Sequence, residues 1–188
     1  MSEELLIEKA KSGDRAALAE LVKKYEKTVF NFAFKICRDR DKAENTMQET
    51  FLSMIKSLHQ FDGKSKLSTW LYRIVTNHCL MELRKRKPDF FDLDNADESD
   101  LINEKYFADV DNLPNKKIEN AELKKILDDA IQKLGPEYRL VFLLRDVEEL
   151  STEETAKIVE LSVPAVKSRL HRARAFLRNE ITKAQKND

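Results

Sequence analysis

STEETAKIVELSVPAVKSRLHRARAFLR, residues 151–178, carries two helix starts with a break between them. Ser151, with Glu154 three positions on, has the reciprocal capping pattern that satisfies two free backbone donors. It predicts a short helix holding Ala156, Ile158 and Val159 that breaks at Glu160-Leu161. Ser162 offers a second cap, and Pro164 sits in a first turn, where a missing N–H costs little. At about 100° per residue, Val163, Val166, Leu170, Ala173 and Leu177 fall on one narrow arc. Lys167, Ser168, His171, Arg172, Arg174 and Arg178 occupy another, and no acid interrupts them from Val163 to Arg178. A short helix, a tight turn and a second helix with one greasy and one basic side predict a helix-turn-helix. A solvated, Arg-rich helix that merely packs would explain the arginines. It would not explain why caps, turn length and charge segregation agree.

Outward from that stretch, the composition predicts an all-α protein. Three glycines and four prolines against 36% charged residues point to long helices with few tight turns. At 188 residues and 41% apolar content, one or two modest cores can form. The formal charge of zero is unevenly spread. Met1 to Lys87 holds 18 basic and 12 acidic residues, net +6. Pro88 to Asn115 holds one basic and nine acidic residues, net −8, and Lys116 to Asp188 holds 15 and 13, net +2. Two basic blocks flank an acidic strip, which predicts two small helical domains joined by a flexible acidic linker. The boundaries fall at 1–88, 89–115 and 116–188.

Cys37 and Cys79 lie in apolar helical contexts, where lone buried thiols are the expectation rather than a disulfide framework. His78 beside Cys79 makes no metal pair, since adjacent residues on a helix diverge, and no second ligand pair follows. No cofactor is expected. The chain shows neither a signal peptide nor an apolar run of membrane length, which predicts a soluble intracellular protein without membrane insertion.

Along the first block, residues 3–12 predict a short amphipathic helix ended near Gly13, and Asp14 caps the next, running to about Cys37. Its apolar set is Leu18, Leu21, Val22, Tyr25, Val29, Phe32, Phe34 and Ile36. Asp41 and Glu44 open a third helix with Met47, Phe51, Met54, Ile55 and Leu58 inward. Its polar side, Glu44, Asn45, Gln48 and Glu49 with Leu52 close by, reads in isolation as a solvated face. The loop FDGKSKLS, 61–68, leads to TWLYRIVTNHCLMELRKRK. There Leu71, Ile74, Val75 and His78 share one arc, with His78 read as a hydrogen-bonded core histidine. Trp70, Arg73, Asn77 and Arg84 share a second arc about 60° wide. Such a face suits unstacked bases: the ring stacks, Arg neutralises phosphate and Asn reads a base edge. Trp70 as a core residue with surface arginines fits the wheel equally well.

From Pro88 to Asn115 the periodicity dissolves, as in a segment disordered alone, with Phe90, Phe91, Tyr106 and Phe107 as anchors if it is inserted elsewhere. Ile118, Leu123, Ile126, Leu127, Ile131 and Leu134 then make one helix, stopped at Gly135-Pro136. Tyr138, Val141, Phe142 and Leu144 make another before Ser151.

With these residues laid out, the chain resembles the sigma-70 family of bacterial transcription initiation factors, in its compact extracytoplasmic-function (ECF) group. DKAENTMQETFLSM (41–54), STWLYRIVTNHCLMELRKRK (68–87) and LGPEYRLVFLLRDVEELSTEETAKIVELSVPAVKSRLHRARAFL (134–177) carry the likeness, with Tyr25–Arg38. The resemblance implies a non-enzymatic sigma factor that binds core RNA polymerase at its clamp and flap, directs it to promoters and helps melt them. The first block would be region 2. Its clamp-docking face would map to Glu44, Asn45, Gln48, Glu49 and Leu52; the family often has an acid where Asn45 stands. Its single-strand face at the minus-ten element would map to Lys64, Ser65, Lys66 and Asn77, supported by Trp70, Arg73 and Arg84. The second block would be region 4, reading the upstream minus-thirty-five element as duplex. Lys167, Ser168, Arg169, His171, Arg172 and Arg174 would do so, with Glu160 where the family frequently has glycine. The acidic strip would be the linker that threads the polymerase's basic channel. An anti-sigma factor is a further partner the family admits, and the implied setting is the bacterial cytoplasm.

Two other classes compete. A free-standing regulator would bind paired half-sites without polymerase, and a duplex binder has no use for the Trp70–Asn77–Arg84 stripe. A recombinase-like enzyme needs clustered carboxylates or a nucleophile ringed by arginines; the acids concentrate in the strip, and Ser68 has only Arg73 near it.

Overall fold

The computed structural model describes residues 2–86 and 121–186, with side chains described over 2–82 and 125–184. Every regular element among them is helical, in keeping with the glycine-poor composition. The chain divides into two compact units, Met1–Lys87 and Pro88–Asp188. The acidic stretch with Phe90, Phe91, Tyr106 and Phe107 lies outside the described residues, as do the side chains of Arg84 and Leu123 and the whole of Ile118.

In the first unit, α1 (Glu3–Lys11) starts on the Ser2 hydroxyl, which accepts from the Leu5 N–H. Gly13, at φ +90°, supplies the left-handed step after it, and the Asp14 carboxylate caps α2 (Arg15–Cys37) by accepting from Ala16 and Ala17. Only Arg38 and Asp39 separate α2 from α3 (Arg40–Ser57), so the two helices must run back to back. Arg38 takes the left-handed conformation at φ 53°, and Asp39 is extended, accepting from the Lys42 N–H at 3.1 Å. The sequence predicts Asp41 and Glu44 as the opening residues; the cap is Asp39. A cap must stand outside the helix to reach a donor three residues on, whereas Asp41 already lies in the first turn, where its charge meets the helix dipole. A 3-10 turn, Leu58–Gln60, and a short loop lead to α4 (Leu67–Arg86).

Helices α2, α3 and α4 pack on one another, and α1 covers α2. Leu21, Val29, Phe32, Ile36, Met54, Leu58, Leu71 and Val75 are buried there, each contributing about 1.5–3 kcal/mol relative to exposure. Two expected core residues are exposed, and Leu18, Val22, Met47 and Ile74 are only half-buried. Phe34 is 38% exposed and stacks on Phe30 at 6.1 Å, and Ile55 is 47% exposed. The reason is angular: Phe34 follows Phe32 by two residues, about 200° round the helix. Ile55 flanks a stripe that Phe51, Met54 and Leu58 already complete, and Ala43, Thr46 and Thr50 fill the remaining contact side. His78 is half-buried, with Nε2 3.1 Å from the Ser53 hydroxyl, the satisfied histidine that the sequence predicts.

The second unit comprises α5 (Ala121–Lys133), α6 (Pro136–Phe142), a π-turn (Leu143–Val147), α7 (Thr152–Val159) and α8 (Val163–Lys186). Helix α5 ends before Gly135-Pro136, as the sequence predicts; Gly135 is also the N-cap position of α6, and Pro136 takes its first position. Ile131, Leu134, Tyr138, Val141, Phe142, Ala156, Val166, Leu170, Ala173 and Leu177 form its core together with Phe176. No helix among the described residues is long and apolar enough to cross a membrane.

Candidate nucleic-acid interface

The capping box at Ser151 is complete: its hydroxyl accepts from the Glu154 N–H at 3.1 Å, and the Glu154 carboxylate accepts from the Ser151 N–H at 2.8 Å. Helix α7 ends at Glu160, left-handed at φ 56°, where the Leu161 N–H donates to the Ala156 carbonyl at 3.0 Å. The Ser162 hydroxyl then accepts from the Ala165 N–H at 3.3 Å and starts α8. The turn therefore keeps its geometry with glutamate at its left-handed position, a conformation costing a non-glycine residue about 1–2 kcal/mol. Val166, Leu170, Ala173 and Leu177 are buried as their arc predicts, and Val163 packs against that core.

The basic side of α8 divides into two groups. Lys167, Ser168 and His171 are exposed near the helix start, and Arg172 is half-buried beside them. Arg169 and Arg174 are turned to internal work. Arg169 pairs with Glu137 at 2.8 Å and lies over the Tyr138 ring at 5.8 Å, fastening α8 to α6. Arg174 donates from Nε and Nη2 to the two oxygens of Asp146, at 2.8 and 2.7 Å. The Asp146 side chain is 6% exposed, so this fork ties α8 to the π-turn in a largely dry setting. Arg174 is thereby corrected from a base- or phosphate-facing residue to a strut. It shares an azimuth within about 20° with Lys167, two turns away; the wheel equates them, and the neighbouring chain separates them.

Sequence reasoning missed Arg139. Its guanidinium, buried at 3% exposure, donates to the carbonyls of Ile131 and Leu134 at 3.0 Å each, and to that of Gln132. These carbonyls lie at and just beyond the end of α5, so Arg139 helps to cap its C-terminus from the next helix. No local signal marks it, because its acceptors precede it by five to eight positions.

In the first unit, the loop before α4 is anchored at both ends by buried side chains, Phe61 and Leu67. Between them Lys64, Ser65 and Lys66 are exposed. Gly63 takes φ +72°, and Asp62 accepts from both the Lys64 N–H, at 3.0 Å, and its ammonium, at 2.9 Å. The side-chain and backbone hydrogen bonds from Lys64 hold the Asp62 carboxyl below the usual range. Trp70 answers the alternative left open by the wheel with half of each: one side packs on the Phe61 ring at 5.6 Å, and the residue remains partly exposed. Arg73 and Asn77 follow it, exposed, at three- and four-residue spacing on α4. The loop thus exposes two lysines, and the α4 face that follows it presents a braced aromatic ring, an arginine and an amide.

On α3, Asn45, Gln48, Glu49 and Leu52 are exposed, and Glu44 is half-buried and paired with Arg40 at 2.9 Å. Leu52, at 50% exposure, and Ile55 stand one turn apart, giving the polar face an apolar end beside a shallow groove formed with Leu18 and Val22.

Residues 21–88 match the sigma-70 region 2 family and residues 124–177 match sigma-70 region 4. The ECF RNA polymerase sigma factor SigW of Bacillus subtilis is 33% identical, over 93% of this chain and 94% of its own length. The ECF RNA polymerase sigma-E factor of Haemophilus influenzae is 30% identical over 96% of each. Among solved structures, CnrH in complex with the cytosolic domain of CnrY gives a TM-score of 0.62 at 22% identity. It covers 98% of this chain and 97% of that one. The sigma factor RpoE with the anti-sigma factor NepR, from Bartonella quintana, gives 0.64 at 21% identity, covering 87% and 96%. At those identities the two structures show a shared fold.

Proposed function

The chain belongs to the extracytoplasmic-function group of the sigma-70 family, and from that premise we propose how its surfaces divide the work of starting transcription. The protein is a sigma factor: it binds core RNA polymerase, directs it to promoters and helps open the DNA. The observation that carries the division of labour is the presence, on one chain, of a capped basic helix and a separate aromatic-amide face. The exposed start of α8 enters the major groove of the upstream element, with Lys167, Ser168, His171 and Arg172 at base edges and phosphates. Arg169 and Arg174 hold that helix at its angle. The loop 64–66 with Trp70, Arg73 and Asn77, and Arg84 further along α4, captures unpaired bases at the minus-ten element. Stacking and hydrogen bonds there offset a few kcal/mol of lost base stacking per nucleotide.

Opening several base pairs exceeds what one small unit can offset, and polymerase supplies the rest. Glu44, Asn45, Gln48, Glu49 and Leu52 form the clamp-docking face, with Ile55 extending it. The acidic stretch 89–115 joins the region 2 unit (1–88) to the region 4 unit (116–188) and occupies the polymerase's basic channel. The protein acts by binding, not as an enzyme, in the cytoplasm and on the nucleoid when assembled with polymerase. An anti-sigma factor belongs to this reading, since two proteins of the same fold were solved with the cytosolic domain of CnrY and with NepR.

The test is reconstitution: purified full chain plus bacterial core polymerase on a promoter library, scored by run-off transcripts. A defined set of starts supports the reading, and none with an active core overturns it. Within that assay, Lys167→Ala and Arg172→Ala are expected to weaken upstream-element binding. Each should lower the salt slope by about one phosphate where it contacts backbone; unchanged affinity and slope remove that residue from the interface. Asn77→Ala is expected to reduce open-complex formation, followed by permanganate reactivity, while closed-complex binding survives. Simultaneous loss of both would place Asn77 outside the strand-capturing surface.

A further inference from the structure

The two cysteines, expected as lone thiols, are neighbours. Sγ of Cys37, the last residue of α2, lies 3.3 Å from Sγ of Cys79 in α4, across 42 positions of sequence. Both are free thiols. Cys79 is completely buried, whereas Cys37 retains partial exposure. A disulfide requires an S–S separation of about 2.05 Å, so closure asks for roughly 1.2 Å of approach. The two sulfurs already share one contact surface between α2 and α4, two of the helices that build this core.

The pair is chemically unequal. The hydrogen bond from Cys79 is the main influence lowering the Cys37 thiol below its ordinary value, with the Thr46 hydroxyl and the Lys42 charge assisting against burial. Cys79 is pushed up, first by its hydrogen bond to Cys37 and then by burial. The more exposed sulfur is thus the better thiolate, and the buried one stands behind it with its proton.

We propose that Cys37 and Cys79 form an oxidation site that closes to an intramolecular disulfide when the protein meets a hydroperoxide. Cys37 sulfur attacks one peroxide oxygen; the O–O bond breaks, hydroxide leaves and takes up the proton shed by Cys37, and Cys37 becomes a sulfenic acid. Cys79 sulfur then attacks Cys37 sulfur. The S–S bond forms, the S–O bond breaks, and hydroxide departs with the Cys79 proton as water. In sum, two thiols are oxidised and one hydrogen peroxide is reduced to two waters. The bond ties the end of α2 to α4 two residues beyond Asn77, and a cellular dithiol reductant reverses it. By closing a long loop, it makes the oxidised first unit more resistant to unfolding.

The experiment uses the full reduced chain treated with hydrogen peroxide, then quenched, denatured, alkylated and analysed by mass spectrometry. The expected result is a monomer lighter by two hydrogens, with both thiols lost together and restored by dithiothreitol. Trypsin should release the peptide Ile36–Arg38 linked to Ile74–Arg84. The thermal midpoint read by Trp70 fluorescence should rise by roughly 5 °C or more on oxidation, and Cys37→Ser should abolish that rise. Sulfinic or sulfonic acid on Cys37 with Cys79 still alkylatable, a disulfide between chains, or two unreacted thiols would each overturn the proposal. The readout is independent of promoter activity, so it stands or falls apart from the transcriptional role.

Discussion

Replacing Arg174 with methionine is expected to melt most of the second unit at physiological temperature. The substitution keeps much of the packing volume but strands the Asp146 carboxylate, whose side chain is 6% exposed, without its bidentate partner. Removing one member of a buried ion pair typically costs about 3–5 kcal/mol. A helical unit of this size has only a few kcal/mol of total stability, roughly 0.05–0.15 kcal/mol per residue. The midpoint of the corresponding calorimetric transition should therefore drop by about 15 °C or more. The double substitution Asp146→Leu with Arg174→Met should recover most of that loss, because an apolar pair of similar volume needs no compensating charge. Trp70 fluorescence, reporting the first unit, should be unaffected. Equal midpoints for Arg174→Met and the wild-type chain would show that the fork is idle. Lys167→Ala is the informative contrast: Lys167 is exposed near the start of α8, so its loss should weaken DNA binding and leave the melting curve within about 0.5 kcal/mol of the parent.

The second large effect is expected at Leu52→Glu. Leu52 is half exposed on α3, so introducing a charge there should change stability by no more than about 0.5 kcal/mol. If the α3 face docks on the polymerase clamp, the same change places an unpaired carboxylate in a desolvating interface. A central apolar anchor of that kind is worth about 2 kcal/mol or more, corresponding to at least about 30-fold weaker association. Competition for core polymerase against a labelled sigma factor measures this directly. Ile55→Glu, at the edge of the same face, should show a smaller decrease. Core affinity within about twofold of wild type for Leu52→Glu, a change smaller than one hydrogen bond is usually worth, would move the docking face elsewhere on the molecule.

These two predictions differ in how they could be reached. Leu52 stands out in the sequence as an apolar residue on a polar face, and the fold leaves it there. Arg174 stands out for the wrong reason: it joins the basic arc of α8 by angle, while Asp146, 28 positions earlier, claims its guanidinium. Arg139 gives no signal, because a buried arginine capping the preceding helix looks like surface charge until its acceptors are in view. Ile55 and Phe34 look like core residues in the sequence only because both are apolar, and both are exposed. Angle and the available contact area decide that question, and α2 and α3 had already filled theirs.

By itself the sequence determined what depends on neighbours within one or two turns. That includes the starts of α2 and α7 at Asp14 and Ser151, the break at Glu160, the Gly135-Pro136 junction and the apolar arc of α8. It also carried the family, through runs long enough to match relatives across nearly the whole chain. Tertiary structure alone decided which basic residues of α8 face outward, how far Trp70 is covered, and that Cys37 touches Cys79. A helical wheel specifies the direction in which a side chain leaves its own axis, whereas what it meets is set by another segment brought there by packing.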